Sequence, residues 1–449
     1  MSASLRKPSD GSIIGQAKKQ NATMNKIQKN KYLPFWLLGV WAFLFLGNAP
    51  GTAVGDWGFY GHRRLNRLAV FTLPPEMIGY YKKHIEYITE HAVDPDKRRY
   101  ATKHEAVRHY IDIDHWGAYP FPDVPRDWSQ ALMTYSDVYL VEPSGDTLAL
   151  MPYHHTDYAG QRVRYTGTDE EVARIMAEAN LAVNDYLSFF RQQVMPQYYE
   201  DIWRVPVDAF SDLLGVPLQG SAVLIQDRFS EYGILPYHLP QIQERLTQAF
   251  RSGNEAAILR LSAEIGHYIG DGNVPLHTTV NYNGELTNQR GIHAFWESRI
   301  PELFADAEFN HFVGPAEYIA DPNAFYWDMV LDSHQLVDSV LAIEKSLSLT
   351  FPKDQQYCFE ERLGRTIRVE CTAYARAYRA RMKGMVEARW RNSIHTIGSA
   401  WYTAWIDAGQ PDLSLLGTGL TPEEDEYFKE LEDAFRSGEA KGRKHSGLD

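Results

Sequence analysis

The sequence predicts an all-α, multi-helical protein with one loop-rich insertion. Three observations point there. Apolar residues recur at helical spacing over most of the chain. One stretch, residues 117–166, breaks that pattern. A run of histidines and carboxylates between residues 267 and 297 sits at i,i+4 spacing, which places side chains on one helix face.

Residues 254–270 place Ile258, Leu261, Ile265 and the pair Tyr268/Ile269 on one stripe. Residues 171–190, 238–251, 325–349 and 372–407 read as further amphipathic helices. Residues 117–166 are rich in Pro, Tyr, Asp and Gly, and DVYLVEPSGDTLAL predicts a short strand pair around a turn. No internal repeat and no phosphate-binding glycine loop is present, and GSAVL near residue 220 lacks the surroundings of a serine nucleophile elbow.

The chain of 449 residues carries 44% hydrophobic residues and a formal charge of −13. Residues 1–53 hold a net +6, which leaves −19 on the remainder. A body that acidic has no electrostatic footprint for duplex nucleic acid. Bound metal ions would add local positive charge that this count ignores.

Lysines 18, 19, 26, 29 and 31 precede an apolar run from Leu33 to Leu46, short for a membrane span and suited to a signal segment. Gly51-Thr52-Ala53 offers a cleavage site, and Met24 an alternative start. The expectation is an exported protein, periplasmic or secreted, anchored in the membrane if residues 1–53 are retained. Residues 54–416 form the expected main domain, and 417–449 a charged C-terminal tail. Cys358 and Cys371 are the two cysteines. Export permits a disulfide between them but spacing does not decide it.

The segment HYIGDGNVPLHTTVNYNGELTNQRGIHAFWE contains His267, Asp271, His277, His293 and Glu297. His267 and Asp271 can grip one metal from one helix face, as can His293 and Glu297. Pro275 ends the first helix, so His277 falls on a turn. Mixed imidazole and carboxylate donors suit zinc. Upstream, HYIDID supplies His109 and Asp112, DPDKR supplies Asp94, Asp96, Lys97 and Arg98, and WGFYGH supplies Trp57 and His62.

Together these motifs, in the order Trp-x4-His, Asp, His-aromatic-x-Asp, His-x3-Asp-x5-His and His-x3-Glu, resemble the zinc-dependent phospholipase C and single-strand-specific nuclease superfamily. They span Trp57 to Glu297. The resemblance implies a helical phosphodiesterase with three zinc ions in one cleft. By position, Asp94, His109, His267 and Asp271 would hold one zinc, and His277, His293 and Glu297 a second. A third would share Asp271 and take His62 and the Trp57 backbone. Asp94 fits the family's spacing better than Asp96, which stays open.

The chain departs from the phospholipase pattern at Gly272 and Thr279 and fits it at Asn281. Asp56 precedes Trp57, where the family has a free terminal amine as a zinc ligand. Trp-x4-His is nuclease-like, whereas Glu297 and the short gap from His277 to His293 are phospholipase-like. The implied chemistry is hydrolysis by zinc-activated water, with Asp271 as the bridge and Asp94 as a ligand or general base. Asp112 would orient Lys97 or Arg98 toward phosphate, and Tyr110 could stack a base, meet a headgroup or fill core. The expected substrate is a phosphodiester, a phospholipid headgroup on the phospholipase C-like reading or single-stranded nucleic acid on the nuclease reading, which also admits the phosphate monoester of a 3′-nucleotide. No protein partner is implied. A non-catalytic zinc protein and a di-iron carboxylate protein are the readings of other classes; the latter should carry Glu-x-x-His motifs, which this ligand set lacks.

Overall fold

The computed structural model describes residues 57–416 apart from Leu363, together with residues 426, 429–431 and 433–435. The expected signal segment and most of the tail lie outside the described residues. The architecture is mostly helical, with three small antiparallel sheets. The coarse expectation of a helical protein therefore holds, and the strands are more extensive than the sequence implied.

The helices that matter for the site are α1 (Trp57–Ala69), α2 (Asp94–Arg98), α3 (Lys103–Ala106), α4 (Leu235–Ser252), α5 (Glu255–Gly272), α6 (Ile292–Ala294), α7 (Ile300–Glu308), α8 (Pro322–His334) and α9 (Met385–Asp407). Helix α5 is central, with α1, α4, α8 and α9 packed around it. It begins where the Asn254 side chain accepts the Ala257 N–H at 3.1 Å, a local satisfaction of a helix-end donor. Ile258, Ile265 and Ile269 are fully buried, and each such side chain contributes about 1.5–3 kcal/mol of burial. Two glycines of α5 admit α1 closely. A Cβ at Gly266 would strike the Asn66 amide, and one at Gly270 would stand 3.0 Å from His62 Nδ1. Asn66 uses that room to donate to the carbonyls of Ala263 at 2.9 Å and Ile88 at 3.3 Å. From the other side, the Trp401 indole of α9 donates to Ser262 O at 2.9 Å, and Gln243 of α4 donates to Ala400 O at 2.8 Å.

The strands are β1 (Ser136–Val141), β2 (Thr147–Met151), β3 (Thr156–Asp157), β4 (Arg164–Tyr165), β5 (Trp203–Val205), β6 (Ala222–Asp227), β7 (Tyr357–Arg362) and β8 (Arg365–Glu370). The expected strand pair is β1 and β2. It belongs to a four-stranded sheet in the order β2-β1-β6-β5, so two of its strands come from beyond residue 166. Val138 and Leu140 of β1 sit opposite Ile225 and Val223 of β6, and all four are buried. That alternation drives the pairing. GSAVL therefore feeds a strand. The β7–β8 hairpin was not anticipated; it ends at a disulfide between Cys358 and Cys371, whose Cα atoms lie 5.0 Å apart. In the tail, Leu431 is buried and the Phe435 ring lies 5.7 Å from that of Phe59, so this part is not wholly solvated as expected.

Among the described residues no helix is long and apolar enough to cross a membrane.

Candidate metal centre

Five histidines and three carboxylates converge at the C-terminal half of α5. His62 comes from α1, Asp96 from α2, His109 from the segment after α3, and His267 and Asp271 from α5. A 3₁₀ turn, Pro275–Thr278, carries His277 just past the helix, as Pro275 predicted. His293 lies on α6, and Glu297 on the π turn Phe295–Arg299 that joins α6 to α7. Such single wide turns recur at functional positions because they re-aim one side chain without ending the helix.

The donors fall into three groups: His62, His267 and Asp271; Asp96, His109 and His267; His277, His293 and Glu297. Within each group one donor atom per residue lies within 4.8 Å of the others. His267 belongs to two groups. Asp271 links further: its Oδ2 lies 2.9 Å from His109 Nδ1 and 3.3 Å from His267 Nε2, and its Oδ1 lies 3.4 Å from His62 Nε2 and 3.8 Å from His277 Nδ1. Glu297 Oε2 lies 2.8 Å from His293 Nε2 and 3.3 Å from His277 Nε2.

Backbone carbonyls set two of the rings. His267 Nδ1 lies 2.8 Å from Ala92 O, and His277 Nδ1 lies 2.6 Å from His109 O. A ring that donates from Nδ1 presents its Nε2 lone pair to the centre, which is how metal-ligating histidines are oriented. Behind His109, Glu105 Oε1 stands 3.7 Å from Nε2. Glu105 precedes His109 by four residues, a spacing legible in the sequence.

The electrostatics suit cations. His62 is buried, and burial, helped by the charge on His267, drops its pKa to about 4. Burial also opposes protonation of His267, but Asp271 and Asp96 outweigh it and push its pKa up to about 9. His277 behaves likewise, with Asp271 and Glu297 overcoming burial to bring it to about 9. Burial would raise the pKa values of Asp271 and Glu297. The neighbouring imidazoles overcome this and hold both carboxyls well below their usual range.

The residues fit zinc. The donors are nitrogen and oxygen in small groups. His293 Nε2 and His277 Nε2 face each other at 2.8 Å, and His267 Nε2 and His109 Nδ1 at 3.0 Å. Facing nitrogens at that range need a proton or a cation between or beside them. Two ligands on one tetrahedral zinc at 2.0–2.1 Å would stand about 3.3 Å apart, close to these separations.

Asp96, not Asp94, is the carboxylate of α2 beside the histidines: its Oδ1 lies 3.8 Å from both His109 Nδ1 and His267 Nε2. Two residues apart on a helix, the two side chains point about 200° apart, and Asp94 turns back to His91 Nδ1 at 2.6 Å and Lys97 Nζ at 3.4 Å. Lys97 thus rests on Asp94. Arg98 is engaged with Glu105, Glu264 and the Tyr268 hydroxyl rather than the ligand groups. Asp112 is buried and its N–H donates to Tyr232 O at 2.7 Å. Tyr110 is 3% exposed and its hydroxyl donates to Glu231 O, so of its three readings the structure gives core. Trp57 opens α1, and what precedes it lies outside the described residues.

Compared with protein-family models, curated proteins and solved structures, the chain matches none.

Proposed function

We propose that this protein is a zinc-dependent phosphodiester hydrolase of the phospholipase C-like kind. One observation carries the reading: three groups of buried and half-buried donors meet around His267 and Asp271, and Asp271 reaches a histidine of each group. The motif order that resembles the zinc phospholipase C and nuclease superfamily supports it independently.

His109, His267 and Asp96 would hold one zinc, His277, His293 and Glu297 a second, and His62 with His267 and Asp271 a third. Bound there, zinc would supply Lewis-acid chemistry, offsetting charge on phosphoryl oxygens and making water nucleophilic near neutral pH. The protein's part is to keep Asp271 and Glu297 ionised and to fix the imidazole tautomers through Ala92 O and His109 O. Asp96 is the most open carboxylate of the set, its side chain 19% exposed. With one carboxylate oxygen on the metal, its other oxygen would accept the proton of the attacking water and return it to the leaving alcohol. Water adds to phosphorus, the ester P–O bond breaks, and the products are a phosphate monoester and an alcohol.

The buried Tyr110 favours the phospholipase-like branch over the nuclease-like one, because its ring offers no face to a base. The test is hydrolysis of phosphatidylcholine, single-stranded DNA, RNA and a 3′-nucleotide, each with and without chelator. Chelator-sensitive release of a phosphorylated headgroup is expected. Absence of hydrolysis on every substrate by zinc-loaded protein would refute the proposal.

A further inference from the structure

Beside the ligand groups, across Tyr268, lies a second cavity of about 470 Å³. None of the proposed zinc ligands lines it; the Tyr268 ring stands between, its centroid 5.4 Å from that of His109. The volume falls within the ~300–1,000 Å³ common for small-molecule sites.

Its walls are cationic in an acidic protein. Arg98, Arg108, Arg245 and Arg260 all line it. Arg98 and Arg108 are neutralised: Glu105 Oε2 accepts from Arg98 Nε at 3.0 Å and from Arg108 Nη1 at 2.8 Å, and Glu264 takes a second contact from Arg98. Arg245 and Arg260 have no carboxylate within ion-pair distance among the described residues, and Arg260 Nε is buried without a hydrogen-bond partner. Two guanidinium groups on the cavity wall, the exposed Arg245 and the half-buried Arg260, are therefore left without a carboxylate. His238 adds to this. It is 4% exposed, lines the cavity and packs its ring edge-on against Tyr268; the buried group left without a partner is Arg260 Nε. A buried polar group without a partner costs about 1–3 kcal/mol, and a ligand that supplies acceptors would recover that cost.

The surplus of two positive charges matches a phosphate monoester dianion, and guanidinium forks match its oxygens. The rim is aromatic. Trp128, Tyr198 and Tyr199 line it; Tyr199 meets the His104 and Tyr198 rings in edge-to-face contacts but is still 63% exposed, so it retains open ring surface for stacking. We infer that this cavity binds a phosphate monoester carrying a flat ring, a nucleoside 5′-monophosphate being the simplest. The inference does not depend on the zinc reading: none of the proposed zinc ligands lines the cavity, although Glu105, which pairs with Arg98 and Arg108, also stands 3.7 Å from His109 Nε2.

The test is calorimetric titration of the full chain, with and without added zinc, with 5′-AMP, adenosine and inorganic phosphate. 5′-AMP should bind at least tenfold tighter than phosphate and far tighter than adenosine. Its affinity should persist in His293→Ala, which alters the metal centre, and fall at least tenfold in Arg245→Gln/Arg260→Gln. Arg245 is exposed, so Arg245→Gln alone keeps the fold and should still weaken binding about threefold or more. Tyr199→Ala should weaken 5′-AMP but not phosphate. No 5′-AMP binding, equal affinity for phosphate, loss with His293→Ala, or indifference to the arginine substitutions would each overturn the inference.

Discussion

Glu297 reaches His62 with one oxygen, Oε1 lying 3.7 Å from Nε2, while its other oxygen stays with His277 and His293. It therefore spans two donor groups, much as Asp271 does. Asp271 touches four histidines and is 2% exposed at its side chain, whereas Glu297 touches three and is 14% exposed. Asp271→Asn should lower zinc content by more than one ion per chain and activity by about 10³-fold or more. Glu297→Gln should be milder on both counts. Elemental analysis and turnover of the two variants decide it, and equal zinc content would contradict the ranking.

The Asp96 placement predicts a second contrast. Asp96→Asn should reduce turnover about 10²–10⁴-fold, the range for a lost general base. Asp94→Asn leaves the donors in place and should cost no more than about tenfold, through a slackened α2. If Asp94→Asn is the more damaging change, the assignment of Asp96 fails.

Metal removal should be felt by the whole fold. The centre ties α1, α2 and α5 to α6, so zinc bound only by the folded state adds stability by mass action, about 4 kcal/mol at a thousandfold excess over Kd. Chelator should abolish hydrolysis and lower Tm by several degrees, and added zinc should restore both. An unchanged Tm in scanning calorimetry would count against bound metal.

Glu370, beside Cys371, gives a pH-dependent expectation outside the centre. Burial raises its pKa from 4.5 to about 6. A carboxyl raised on folding is tolerated while protonated, so its stabilising share is full below pH 4.5 and lost as pH rises through 6. Glu370→Gln should leave stability at pH 4 nearly unchanged and raise it by about 1–2 kcal/mol at pH 7.5. Thermal unfolding across that range tests the sign.

The disulfide closes a short loop, with 13 residues of separation. Its loss in Cys358→Ser/Cys371→Ser should cost about 3 kcal/mol, measured by denaturant unfolding, with the zinc content unchanged.

Much of this centre was legible because ligand chemistry leaves local marks. His267 with Asp271 and His293 with Glu297 are i,i+4 pairs, and Pro275 announces the turn under His277. Asp94 and Asp96 were not separable, because chain spacing does not say which face of a one-turn helix meets α5. Strand β6 escaped notice because its partner β1 is more than eighty residues earlier and only the pairing reveals it. The arginine-lined cavity is assembled from α2, the segment after α3, α4 and α5, so none of its four arginines stands out in the sequence.

The contact between His277 Nδ1 and the carbonyl of His109 has a consequence for assembly. Ile111 N–H also donates to His277 O at 2.9 Å, so the two segments are stitched in both directions. A cation settling on His109 would immobilise the peptide that aims His277, and one on His277 would do the same for His109. Loading should then be cooperative: as zinc is titrated into stripped protein, empty and full molecules should dominate, with half-filled ones scarce.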